Sequence, residues 1–133
     1  MKSNAGTPDV LSASEHVLPI AEAADYLHQP VSRVKDLINK GQLIAVDRDK
    51  QRQIPARFFN GLNDAGFPEP GRRVTVNKHV PGVIALLADG GYSNEEILAY
   101  LFSNDDSLPG RPIDALHGHL AREVMRRAQA MGF

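Results

Sequence analysis

The stretch that decides the fold is Ile20-Ala21-Glu22-Ala23-Ala24-Asp25-Tyr26-Leu27, then His28-Gln29-Pro30, then Val31-Ser32-Arg33-Val34-Lys35-Asp36-Leu37-Ile38-Asn39-Lys40-Gly41. Ile20, Ala23, Ala24 and Leu27 recur at helical spacing with Glu22 and Asp25 on the other side, which predicts a first helix over about Ile20 to Leu27. Pro19 suits its first turn, where a missing N–H costs nothing. Pro30 disfavours helical backbone at Gln29, so that helix stops there and Pro30 opens the next. Val31, Val34, Leu37 and Ile38 form one apolar face of the second helix, and Gly41 supplies its stop. Two short helices joined by a three-residue turn make a helix-turn-helix pattern.

Downstream, the apolar run Leu43-Ile44-Ala45-Val46 suits a strand. Asp47-Arg48-Asp49-Lys50-Gln51-Arg52 is fully polar, and Gln53-Ile54-Pro55 resumes the strand. Strand, charged tip and strand predict a β-hairpin, which in this position is a wing. Pro55 lacks a donor and suits a strand edge or end. Upstream, Met1 to His16 has few large apolar groups, which predicts a mobile tail over residues 1–16.

The rest of the chain reads as a connection over Asn60–Pro70, a short extended piece at Val74-Thr75-Val76 and then helices. One spans Val80 to Ala88 and stops at Gly90-Gly91; the next is capped by Ser93 or Asn94 with Glu95 and Glu96 in its first turn. A last helix is predicted from about Ile113 to Met131, with Leu116, Leu120, Val124 and Met131 on its buried side. The expected fold is mainly α: a winged helix-turn-helix over 17–70 with a small hairpin wing, and a C-terminal helical subdomain over 71–133.

The 133 residues carry a net charge of −1, but the distribution is uneven. From Pro30 to Lys78 ten cations face five carboxylates, a net of +5, while the stretches before and after each carry −3. A basic middle between acidic ends is the footprint of a nucleic-acid contact. With no Cys, no disulfide framework or thiolate metal site exists. The polar N-terminus lacks a signal-peptide core, and no apolar run approaches the roughly 20 residues that cross a bilayer. These features predict a cytoplasmic protein without membrane insertion.

At Ala21 to Phe59 the chain resembles the winged helix-turn-helix of the MerR and excisionase-like superfamily. The likeness is carried by Ala23-Ala24-Asp25-Tyr26-Leu27, Val34, Leu37-Ile38, Lys40-Gly41-Gln42-Leu43, Val46 and Ile54-Pro55. From about Leu18 to Phe133 it is similar to a family of actinobacterial winged-helix DNA-binding proteins that are substrates of a mycobacterial membrane Ser/Thr kinase, kinase L. That likeness rests on Leu86-Leu87-Ala88-Asp89-Gly90-Gly91-Tyr92, Tyr100-Leu101-Phe102, Arg111-Pro112-Ile113-Asp114-Ala115-Leu116-His117 and Arg126-Arg127-Ala128-Gln129-Ala130-Met131. The resemblance implies DNA binding of loose or unknown sequence preference, weakened by phosphorylation of a tail threonine. By position, as the only Thr of the tail, Thr7 takes that role.

A recognition helix brings donors to base edges and phosphates in the major groove, chiefly from its amino-terminal half. Ser32, Arg33, Lys35 and Asp36 are therefore the base-proximal candidates, with Lys35 or Lys40 on phosphate. Arg48, Lys50 and Arg52 are the wing candidates. Four to seven phosphate contacts would give log affinity a slope of roughly −4 to −6 against log salt. The tail hypothesis is that phosphate on Thr7, near Asp9 and Glu15, makes an anionic arm that folds over the wing and competes with DNA.

His117 and His119 point to different sides of a helix, so no metal is expected, and no cofactor. No nucleophile elbow or phosphate loop is present, so no enzyme is expected. The partners expected are double-stranded DNA and a Ser/Thr protein kinase. With no sustained heptads, a monomer is favoured over a dimer. Two other readings stay open: a protein-interaction, antitoxin-like module, suggested at Arg111-Pro112-Ile113-Asp114, and an excisionase-like recombination factor.

Overall fold

The computed structural model describes residues 7–131. Helices α1 (Ile20–Leu27) and α2 (Val31–Asn39) form the helix-turn-helix. His28 ends α1 in the left-handed conformation at φ 56°, donating to the Asp25 carbonyl, while Gln29 donates to Ala24. Gly41, at φ 75°, does the same for α2, with Gln42 donating to the Leu37 carbonyl. Both are Schellman stops, one on the usual glycine and one on a histidine. Between them Ala23, Ala24 and Val34 are buried against Leu43, Ile44 and Ile54.

The β component exceeds a single hairpin, so the expected "mainly α" class needs widening. β1 (Thr7–Pro8), β2 (Val17–Pro19), β3 (Val46–Arg48) and β4 (Gln51–Pro55) form one sheet in the order β1-β3-β4-β2. β1 runs parallel to β3, pairing Thr7 with Val46, and β2 runs antiparallel to β4, pairing Leu18 with Ile54. The wing is thus flanked on both sides, on the β1 side by chain expected to be a mobile tail. For residues 7–16 that expectation is corrected; residues 1–6 of it lie outside the described residues. The apolar entry to the wing also differs: Leu43, Ile44 and Ala45 are buried but irregular, and the strand starts at Val46.

After β4, a 3₁₀ turn (Ala56–Phe58) leads into a two-stranded ribbon, β5 (Phe59–Asn60) with β6 (Thr75–Val76). Helices α3 (Val80–Asp89) and α4 (Asn94–Leu101) follow. Ser93 caps α4 in a capping box with Glu96, as the Ser-x-x-Glu spacing allows. The expected last helix is two: α5 (Pro112–Ala115) and α6 (Ala121–Met131). The Leu116 carbonyl accepts from Asn77 Nδ2 at 3.1 Å, and the His117 ring bonds the Arg57 carbonyl at 2.7 Å. These tertiary bonds, with the poor helix former Gly118, outweigh an apolar period that runs straight through the break. Leu120, expected on the buried side, is only half-buried.

One apolar core runs from Leu18 to Ala128 through both halves. Phe58 meets Phe102 edge to face with centroids 5.8 Å apart, and the Arg111 guanidinium lies 5.5 Å above the Phe102 ring centroid. Around this joint Glu15 pairs with Arg111 at 2.6 Å, Arg111 with Asp114 at 2.8 Å and Arg57 with Asp114 at 2.8 Å. Burial pushes the Asp114 carboxyl up, but Arg111 and Arg57 more than offset this and hold it below the usual range. Burial pushes the His117 imidazole down from 6.5, opposed only in part by its bond to the Arg57 carbonyl. A base with a depressed folded pKa takes up protons more readily when unfolded, so stability falls as pH drops below the unfolded value of 6.5. Urea unfolding at pH 7.5, 6.5 and 5.5 should show that loss, and His117→Gln should flatten it. An identical slope in the variant would remove His117 from this role.

Candidate nucleic-acid interface

The face to be tested is made by three elements: the start of α1, the outer side of α2 and the strand β4 beside it. They enclose a groove of about 470 Å³ lined by Pro19, Ile20, Ala21, Lys35, Asn39, Gln51 and Arg52. Lys35 and Asn39 are one helical turn apart, so they present side by side along the groove. Gln51 and Arg52 face them from the wing. Neither Lys35 nor Arg52 has a carboxylate within ion-pairing distance among the described residues. Asn39 and Gln51 were not among the sequence candidates. Their signal was the i, i+4 spacing to Lys35 and the adjacency to Arg52, legible only once the wing's position was known.

Ser32 and Arg33 are exposed on the leading half of α2, as expected. Asp36 sits between two cations, 3.3 Å from Arg33 and 3.1 Å from Lys40. This carboxylate neutralises part of the recognition face and orients both cations along one side of the helix. Val31, expected on the inward face, is 39% exposed. It stands at the helix entry, where an apolar side chain can meet a thymine methyl.

The wing candidates divide. Arg48 is not at the tip: its guanidinium pairs with Asp9 at 2.5 Å and donates to the Glu15 and Ser12 carbonyls. Its side chain is 16% exposed, so it anchors the N-terminal segment to the wing root and is not presented to a ligand. The hydrogen bond from Arg48 holds the Asp9 carboxyl below the usual range. Gln53, buried on β4, donates to the Arg48 carbonyl and closes the hairpin from inside.

The tip itself is two residues, Asp49 at φ 53° and Lys50 at φ 65°. Two left-handed residues match a type I′ turn, which normally takes Asn-Gly or Asp-Gly. A lysine there costs about 1 kcal/mol of backbone strain. Lys50→Gly should therefore stabilise the fold by about 1 kcal/mol in a urea melt while weakening duplex binding. A variant with neither gain nor loss would show Lys50 to be only a surface residue.

Thr7 also lies differently from its expected place in a loose tail. It is 9% exposed, its N–H donates to the Ala45 carbonyl, and its hydroxyl accepts from Asn94 Nδ2 at 3.2 Å. The arm already rests against the wing root without a phosphate. No group of three His, Asp or Glu side chains gathers closely enough to hold a metal among the described residues. No helix there is long and apolar enough to cross a membrane.

Helix, turn, helix and wing in this order define a winged helix-turn-helix protein, the class whose second helix enters the DNA major groove. The family model described as "DNA-binding protein Rv2175c, wHTH domain" matches residues 6–59. A second, "Rv2175c C-terminal domain of unknown function", matches residues 77–132. The DNA-binding protein Rv2175c of Mycobacterium tuberculosis (strain ATCC 25618 / H37Rv) is 38% identical over 137 residues, covering 94% of this chain and 86% of that protein. The NMR structure of Rv2175c aligns with a TM-score of 0.77 at 37% identity, over 99% of this chain and 91% of that one. The chain belongs to the Rv2175c family. The winged-helix model and the relative are both described as DNA-binding proteins.

Proposed function

We propose that this protein binds duplex DNA through the α2–wing groove and acts as a transcriptional regulator of MerR-like docking mode. The observation that carries the reading is the placement of Lys35 and Arg52 on opposite walls of one groove beside an exposed recognition helix. Arg33 is the best placed residue for a base edge, and Lys35, Lys40, Lys50 and Arg52 for phosphates. With Arg48 assigned to the arm, three to five phosphate contacts are available, and the slope of log affinity against log salt is expected at roughly −3 to −5.

Control through Thr7 takes a different form from an arm folding onto the wing. Phosphate cannot be added while the hydroxyl is packed on Asn94, so a Ser/Thr kinase needs β1 released first. About two negative charges at this buried position would then prevent the strand from re-seating and free the Asp9–Arg48 anchor. The salt series on random and genomic duplexes tests both parts. A slope near zero ends the DNA reading. Unchanged affinity and unchanged β1 amide exchange in Thr7→Asp ends the arm reading alone.

A further inference from the structure

A cleft of about 800 Å³, larger than the α2–wing groove, forms a second site where the two matched domains meet. Arg57 reaches it from the winged half, Arg72 from the connecting segment, and Lys78, His79 and His117 from the C-terminal half. Glu69 is the one carboxylate in its lining among the described residues. Arg72 is paired with Glu69 and Arg57 with Asp114, whereas Lys78 has no carboxylate partner among the described residues. With Asp114 counted beside Glu69, three permanent cations meet two carboxylates, so the concavity stays net positive through Lys78, and a concave wall focuses that field.

The floor is rigid. Buried Asn77 donates to Asn60 Oδ1 at 3.2 Å and to the Leu116 carbonyl at 3.1 Å, and accepts from the His79 N–H at 2.9 Å. One side chain therefore fixes the ribbon, the start of α3 and the end of α5 around the cleft. The His117 ring is held by the Arg57 carbonyl; since a carbonyl only accepts, Nε2 carries the hydrogen. A site that is polar, preformed, cationic and placed between domains takes an anion with several acceptor oxygens.

We propose that this junction cleft binds a small compound bearing a phosphate or diphosphate group, bridging Arg72 on one side and Lys78 and His79 on the other. It is separate from the DNA face. β4 alone carries the chain about 13 Å from Gln51 at the wing to Pro55, and Arg57 lies beyond that. Because the ligand would touch both halves, its occupancy would stiffen their joint. The proposal does not depend on DNA being bound.

Inorganic pyrophosphate titrated into the full chain at constant ionic strength tests it, with the histidine ring protons as reporters. The expected result is a saturable shift at His79 and His117, with His28 unmoved, and an upward move of the His117 titration as negative charge enters beside Arg57, Arg72 and Asp114. Arg72→Ala/Lys78→Ala, both at exposed positions, should weaken the response at least tenfold while leaving the remaining spectrum in place. Added duplex should not erase it. Non-saturating drift shared by all histidines, an undiminished response in the double variant, or loss of the response on duplex addition would each overturn the proposal.

Discussion

Phe58→Ala should lower the unfolding free energy by about 3–5 kcal/mol, the usual cost of emptying a buried aromatic site. For a small domain whose total stability is about 5–15 kcal/mol, that is a large share. The side chain is fully buried, packs edge-on against Phe102 from α4, and sits beside Arg57, whose guanidinium pairs with Asp114 at the start of α5. Removing the ring leaves a void at the place where the wing's sheet meets the C-terminal helices. Since one core runs through both halves, wild type and variant should each unfold in a single urea transition by circular dichroism. A loss under about 1 kcal/mol, or a C-terminal half that melts by itself, would show that the joint is not where the two halves are held.

The second large effect is on binding. Lys35→Ala/Arg52→Ala should weaken duplex affinity about 60-fold at about 0.1 M salt, because each phosphate contact releases about 0.9 of a counterion. The same change should make the salt slope shallower by about two. Both side chains line the groove and have no ion-pair partner among the described residues, so their loss leaves no buried charge behind and the fold should be unaffected. Arg33→Ala should differ in kind: it costs affinity mainly where a guanine lies opposite, by about 1–3 kcal/mol, with a smaller effect on random duplex. Fluorescence anisotropy across a salt series separates the two outcomes. If the double variant binds as wild type does, the groove is not the DNA face.

Arg48 shows where sequence reading of the site stops. It lies in a charged hairpin segment with Lys50 and Arg52, and nothing local distinguishes it from them. Its partner Asp9 is 39 residues away, and the pairing exists only because β1 docks parallel to β3. The same holds for Glu15 with Arg111, 96 residues apart, and for Thr7 with Asn94. An N-terminal segment poor in apolar groups reads as a tail when its own burial is considered alone. It is ordered instead by charge-assisted bonds to arginines elsewhere in the chain, which composition does not reveal.

By itself the sequence determined α1, α2 and their stops, the presence of the hairpin, and the start of α4 at Ser93 or Asn94. Each of these depends on residues within one or two turns of one another: apolar spacing, Pro30, Gly41, and a capping residue before Glu95 and Glu96. Only the tertiary structure decided that the arm is a strand, that Arg48 is an anchor, that the last helix breaks at Leu116, and that Arg57, Arg72 and Lys78 share a cleft. The reason is common to all four. Local propensity is a fraction of a kcal/mol per residue, and a buried hydrogen bond or ion pair formed across the fold is large enough to override it.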